Sequence, residues 1–275
     1  MTNAAHNLSQ RFPARRALIT GAASGLGLAC AEILAREGWR LVLTDVDAPR
    51  LDLVAQSLSR DGAPSIAVPC DVRDEAAVRA LVDESVAALG GIDVAIHCAG
   101  VATASAFHAE SAEDWRWVFD INVHGLANCC RAVVAHMARG DGGLIINVAS
   151  AASFCTNARM SSYNAAKAAV VALSETLMQE YGAYGVQTTV AMPGFFRTRL
   201  LESARGPERT LDGARRIMQD SNVEADEVAE AMLTAAARGR THFVYPARYA
   251  TLWRLKRLMP QRFQRLLPRL LSRSA

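Results

Sequence analysis

A phenol and an ammonium stand four residues apart in Tyr163-Asn164-Ala165-Ala166-Lys167. On a helix that spacing puts both side chains on one face. A phenol with a pKa of about 10 is a poor acid–base group at neutral pH, but a neighbouring cation favours the phenolate and brings it toward the working range. Proton exchange is the chemistry such a pair offers. Taken alone, Tyr-x-x-x-Lys is common by chance and mostly structural, so its meaning depends on its surroundings. Ser150, ending Asn147-Val148-Ala149-Ser150, offers a hydroxyl to a substrate oxygen at the C-terminal edge of a strand, where open α/β sheets place their ligands. Its competing reading is a turn or N-cap serine.

A second group suits phosphate. Thr20-Gly21-Ala22-Ala23-Ser24-Gly25-Leu26-Gly27 joins an apolar run to a helical pattern. Glycines there let the backbone approach a pyrophosphate, and the helix N-terminus offers free N–H donors and a partial positive charge. The spacing G-x-x-x-G-x-G departs from the common G-x-G-x-x-G. Asp45 follows the next apolar run, where a carboxylate accepts from ribose hydroxyls and repels a 2′-phosphate. No Arg or Lys lies in the turn or directly after Asp45, so the expected cofactor is NAD rather than NADP; a solvated loop aspartate is the alternative.

These groups need a scaffold, and short apolar runs alternating with helical patterns predict one built of βαβ units. Expected strands are 17–20, 41–43, 65–68, 94–96, 144–148, 186–192 and 242–244. Expected helices are 25–36, 49–60, 74–89, 111–137, 162–181 and 224–237, with Ser111-Ala112-Glu113-Asp114 as a capping signature and 195–223 as an irregular charged segment. The fold class is therefore α/β: one doubly wound Rossmann-like domain, a seven-stranded parallel sheet with helices on both faces. It is expected to span 15–245, after an N-terminal extension at 1–14 and before a tail at 246–275.

Composition agrees. Of 275 residues, 51% are hydrophobic and 21% charged, which demands a folded core. The net charge of +3 is too small for an electrostatic nucleic-acid binder, and no nucleic acid is expected as a partner. It hides an asymmetry: ten Arg or Lys and no acid lie between Ala231 and Ala275, leaving −7 on the residues before. The six cysteines form no C-x-x-C pair, so they read as free thiols in a reducing compartment and no metal site is expected. The segment Met1–Arg16 lacks the apolar stretch of a signal peptide, and no run approaches the ~18 apolar residues of a membrane span, so a cytoplasmic protein is expected.

Together these residues resemble the short-chain dehydrogenases/reductases, in the branch with T-G-x-x-x-G-x-G and Y-x-x-x-K, over roughly Arg15 to Val244. Thr20 to Gly27, Asp45, Asp71, Ala99-Gly100, Asn122, Ser150, Tyr163, Lys167 and Pro193-Gly194 fall in the family order. The resemblance implies four catalytic residues. Tyr163 is the general acid–base, Lys167 holds the nicotinamide ribose and lowers the phenol pKa, Ser150 orients the reacting oxygen, and Asn122 keeps a water behind the lysine. It implies cofactor contacts from Thr20, Gly21, Ser24, Gly25, Leu26, Gly27, Asp45, Asp71, Val72, Ala99, Gly100, Tyr163, Lys167, Pro193 and Gly194, with Asp71 at the adenine and Thr198 at the carboxamide. One departure is His97-Cys98-Ala99-Gly100 in place of Asn-Asn-Ala-Gly; His97 reads as structural because the tyrosine already fills the acid–base role.

The expected function is NAD-dependent hydride transfer between a secondary alcohol and a ketone, in a homotetramer or homodimer. The alternative is a non-catalytic NAD-binding regulator or scaffold. Phe154, Met160, Phe195, Phe196, Leu200 and Leu201 suggest an apolar pocket under a mobile charged lid. In the tail, Leu252, Leu255, Met259, Phe263, Leu266 and Leu270 recur at helical spacing between arginines, which predicts two short amphipathic helices interrupted at Pro260 and Pro268. Packing on the body or a neighbouring subunit, peripheral contact with an anionic membrane, and nucleic-acid contact all compete for that tail.

Overall fold

The computed structural model describes residues 3–60 and 62–272, with side chains at 7–60 and 62–267. Its centre is a seven-stranded parallel sheet, as the alternating pattern predicts, with the strands in the order β3-β2-β1-β4-β5-β6-β7. The strands are β1 Arg16–Thr20, β2 Arg40–Thr44, β3 Ser65–Ala67, β4 Val94–His97, β5 Gly143–Val148, β6 Val186–Pro193 and β7 His242–Tyr245. Because both faces are covered, the strands are apolar almost throughout, and neighbouring residues serve opposite cores. Ile19, Leu43, Ile96 and Ile146 pack into one cluster, Leu18, Val42, Ala95 and Ile145 into the other.

The helices are α1 Asn3–Arg11, α2 Gly25–Arg36, α3 Ala48–Leu58, α4 Glu75–Leu89, α5 Ala112–Phe119, α6 Leu126–Met137, α7 Ser161–Tyr181, α8 Glu208–Gln219, α9 Ala225–Ala237, α10 Ala247–Leu258 and α11 Pro260–Ser272. The capping signature holds: the Ser111 hydroxyl accepts from the Asp114 N–H at 3.0 Å. Strand order reverses at the neighbours β1 and β4, and this switch point opens a crevice beyond the strands' C-terminal ends.

Four elements differ from the sequence reading. The helix expected over 111–137 is broken by a π-helical segment, Asp120–Gly125, between α5 and α6. The charged segment 195–223 contains α8, whose Leu211 and Met218, seven residues apart, turn inward while its charges face out. The N-terminal segment carries α1, which packs on α9 with Leu8 fully buried, and Ser9 accepts from the Trp39 indole at 2.9 Å. In the tail, Pro260 opens α11, and the helix runs through Pro268 instead of stopping there. A proline forfeits one backbone bond inside a helix, and here the packing of α11 on the body outweighs that loss.

Candidate active site

The glycine turn follows β1 and packs tightly against the end of β4. Gly21 and Gly25 take φ of 66° and 54°, the left-handed region that a side chain resists. A Cβ on Gly21 would lie 2.7 Å from the Ala99 nitrogen, one on Gly27 would overlap the Gly21 carbonyl oxygen, and one on Gly25 would come within 2.8 Å of Thr198 Oγ1. Ser24 precedes α2 without a side-chain cap bond, so the first-turn N–H groups remain available at the cleft wall. This cradle fits the phosphates of a dinucleotide.

Asp45 lies at the end of β2. Its carboxylate accepts from the Ala23 and Asp47 N–H groups, each at 3.1 Å, tying the second strand to the glycine turn. Asp71 also lines the cleft, but its carboxylate is paired with Arg73 at 2.5 Å, which holds it below the usual carboxylate range. Val72 is buried beside it, against Gly125 of the π-helical segment.

Across the switch point, β5 and α7 bring the acid–base pair together. Ser150 follows β5, accepts from the Ala152 N–H at 3.1 Å and donates to the Pro193 carbonyl at 3.4 Å. It is therefore a cap of the next turn and a cleft residue at once. Tyr163 and Lys167 stand one turn apart on α7, both buried, with the Lys167 ammonium 5.8 Å from the centre of the phenol ring. The ammonium donates to the Val148 carbonyl at 2.9 Å.

The charge tuning runs opposite to the expectation from spacing. Burial pushes the Tyr163 phenol up to about 12, with the Ser150 hydroxyl pulling the other way, and burial pulls Lys167 down to about 8. At these buried positions the cost of holding charge sets the direction of both shifts.

Asn122 and Thr20 do not line the cleft; they stand behind it. The π-helical segment turns Asn122 inward, where its side chain accepts from the Val101 N–H at 2.9 Å and donates to the Val101 carbonyl at 2.8 Å. Thr20 Oγ1 accepts from the Ala99 N–H at 3.2 Å. A Cβ on Gly100 would lie 2.8 Å from Asn122 Oδ1 and 3.4 Å from Lys167 Nζ, so all three converge at one spot. His97 does not line the cleft. It is fully buried, lacks a hydrogen-bond partner among the described residues, and burial pulls it down to about 4, so it stays neutral.

The resulting cleft, about 1750 Å³, is lined by Gly21, Ser24, Gly25, Leu26, Gly27, Asp45, Asp71, Val72, Ala99, Gly100, Ser150, Tyr163, Lys167, Pro193, Gly194 and Thr198. Its far side is apolar: Ala102, Ala152, Leu201 and Met218 close on Tyr163, with Met160, Phe195 and Leu200 at the edge. Met218 of α8 thus belongs to the same apolar cluster as the tyrosine. Two arginines of α8, Arg209 and Arg216, reach the cleft rim without an ion pair.

One wall was not foreseen. Pro246 to Tyr249, at the start of the tail, also line the cleft. Tyr249 is 5% exposed, and its ring lies so close to Gly194 that a Cβ there would overlap it. Nothing in the spacing of the tail marks this tyrosine apart from its neighbours.

Comparison with known proteins agrees with this geometry. A family model described as short chain dehydrogenase matches residues 15–209. The chain is similar to cis-4-hydroxycyclohexanecarboxylate dehydrogenase of Sinomonas cyclohexanicum, 36% identical over 84% of this chain and 92% of that protein. It is also similar to D-threitol dehydrogenase of Mycolicibacterium smegmatis, 35% identical over 69% and 73%. Among solved structures, a short chain dehydrogenase/reductase of Burkholderia phymatum in complex with NAD superposes with a TM-score of 0.79 at 34% identity, covering 86% of this chain and 91% of that one. The chain belongs to the short-chain dehydrogenase/reductase family, the oxidoreductases of alcohols and their carbonyl partners.

Proposed function

We propose that this protein interconverts an apolar secondary alcohol and its ketone with NAD, and that Tyr163 exchanges the hydroxyl proton. The observation that carries the reading is the position of one phenol. It stands between Ser150 and Lys167 on its polar side and the apolar cluster of Ala102, Leu201 and Met218 on the other, in the same cleft as the glycine turn.

The nicotinamide supplies the hydride chemistry when bound. The chain's own residues do the rest. Gly21 to Gly27 and the start of α2 hold phosphates, and Thr198 closes over that turn. Ser150 donates to the reacting oxygen, Tyr163 accepts its proton in oxidation and returns it in reduction, and Lys167 binds ribose hydroxyls beside the phenol. A positive charge brought into this cleft lowers the Tyr163 pKa from about 12 toward the working range. Asn122, held by Val101, fixes the segment behind the lysine through which a proton would leave.

Asp45 supports NAD over NADP. Its carboxylate lines the cleft beside the glycine turn, where it would repel a 2′-phosphate, and Arg73 nearby is paired with Asp71. The apolar cluster supports an apolar group beside the reacting carbon, and the relatives named for cis-4-hydroxycyclohexanecarboxylate and D-threitol support an alcohol as the reacting group. The free cysteines, five of them buried, suit a reducing cytoplasm, and assembly as a homodimer or homotetramer follows the family's habit.

The test is a panel of secondary alcohols and ketones run with NAD and NADP side by side, following the absorbance of the reduced nicotinamide. Turnover of apolar members with NAD, at least tenfold above NADP, is expected. Turnover confined to NADP or to highly polar substrates overturns the finer assignment.

A further inference from the structure

We infer that the outward face of the C-terminal helices is a docking surface for an anionic lipid bilayer. The inner face is already used: Tyr249, Phe263 and Leu267 are buried in the body of the protein. What α10 and α11 turn outward has an unusual make-up. Of the eight large hydrophobic side chains exposed among the described residues, three lie between Leu258 and Leu266: Leu258 at 78%, Met259 at 40% and Leu266 at 46%. Leu258 and Met259 stand at the junction of the two helices, and Leu266 lies within α11 beyond it.

The charge around them has one sign. Between Pro246 and Ala275 there are eight Arg or Lys and no acid. Among the described residues, Arg254, Lys256, Arg262 and Arg265 make no ion pair with the rest of the protein. In the segment before α9, by comparison, Arg197, Arg199, Arg205 and Arg215 pair with carboxylates while Arg209 and Arg216 do not, so what sets the tail apart is that it holds no acid to pair with. Arg248 and Arg257 lie over the Tyr249 and Trp253 rings, and no described tail cation is paired with a carboxylate.

An interfacial helix has just these parts, aliphatic side chains to enter the headgroup boundary and cations to meet anionic lipid. No described helix is long and apolar enough to cross a membrane, so the contact is peripheral. A second copy of the chain fits poorly, because two identical faces with cations and no acids repel each other. Nucleic acid matches the charge but leaves the three aliphatic side chains unused. The same α10 that carries Leu258 begins with Arg248 and Tyr249 at the cleft, about 14 Å away at ~1.5 Å per residue. A bilayer on this face lies beside the substrate entrance.

The experiment uses the full chain and sedimentation with vesicles of phosphatidylcholine alone or of phosphatidylcholine with about a third phosphatidylglycerol. The expected result is binding to the anionic vesicles, little to the neutral ones, and weakening as salt rises. Arg262→Gln with Arg265→Gln should lower the partition coefficient roughly 25-fold, at ~1 kcal/mol for each cation. Leu258→Asp with Met259→Asp should weaken binding further. These positions are exposed, so the folded state survives, which far-ultraviolet circular dichroism checks. Equal binding to neutral and anionic vesicles, or unchanged binding by both variants, overturns the inference. So does a concentration-dependent dimer that the Leu258/Met259 variant abolishes, or tight binding to a short DNA duplex with none to vesicles.

Discussion

The two walls of the cleft are held by different forces. The wall of the glycine turn, β4 and β5 is fixed by backbone contacts and by buried or part-buried hydrogen bonds: Thr20 to Ala99, Asp45 to Ala23, Asn122 to Val101 and Lys167 to Val148. The wall of α8 and α10 is fixed by apolar side chains, chiefly Leu201, Met218 and Tyr249, and by ion pairs at the surface. Exposed ion pairs are each worth ~0–1 kcal/mol, whereas a buried donor left unpaired costs ~1–3 kcal/mol. The first wall is therefore expensive to disturb and suits residues whose placement decides the reaction. The second is inexpensive to lift and suits a surface that must admit and release a substrate.

Four substitutions sharpen that contrast, beginning with the largest effect. Lys167→Met removes a buried cation that burial holds down at about 8. Turnover should fall by about 10²- to 10⁴-fold, the usual worth of acid–base machinery, while thermal stability stays level or rises. The folded pKa lies below the unfolded value of about 10.4. Burial of the charge therefore costs stability in full below pH 8, and the cost is relieved as pH climbs from about 8 to about 10.4. Wild type should gain stability across that window and the variant should not. Thermal melts at stepped pH check it, and parallel curves for the two proteins would break the claim that the lysine is strained by burial.

Gly27→Ala comes next, because its Cβ would overlap the Gly21 carbonyl oxygen. Overpacking of ~1–3 kcal/mol, expressed in binding, weakens the dinucleotide Kd about 5- to 150-fold, measured by titration calorimetry. Tyr249→Leu tests the other wall. Its expected effect is a shift of about tenfold in the ratio of kcat/KM for bulky against small alcohols, with the dinucleotide Kd unchanged. A change in Kd without a change in that ratio would place Tyr249 on the wrong side of the contrast. Arg215→Gln removes exposed pairs to Glu208 and Asp212, and less than ~0.5 kcal/mol is expected by denaturant unfolding.

The first wall was largely readable from sequence, and the second was not. Tyr163 and Lys167 announce themselves through helical spacing, and the glycines through their place between a strand and a helix. Asn122 was found by resemblance, but the π-helical segment that turns it inward leaves no mark in Asp120–Gly125. The helix α8 was missed because its charges dominate the composition, although Leu211, Ala214 and Met218 carry a helical stripe. Sequence spacing reports a charge beside the phenol and is silent about desolvation, so the direction of the Tyr163 shift is not legible in it. In α1, apolar residues are too few to set a periodicity; Leu8 and Ser9 gain their partners, α9 and Trp39, only through the fold.

The central claim is that the Tyr163 hydroxyl carries the reacting proton. Tyr163→Phe, assayed beside wild type on the best alcohol of the panel with dinucleotide binding measured on the same samples, tests it most directly. The account predicts a Kd for the dinucleotide within about twofold of wild type and turnover reduced by at least ~10³-fold. Turnover above a few per cent of wild type, with the dinucleotide still bound, would contradict it.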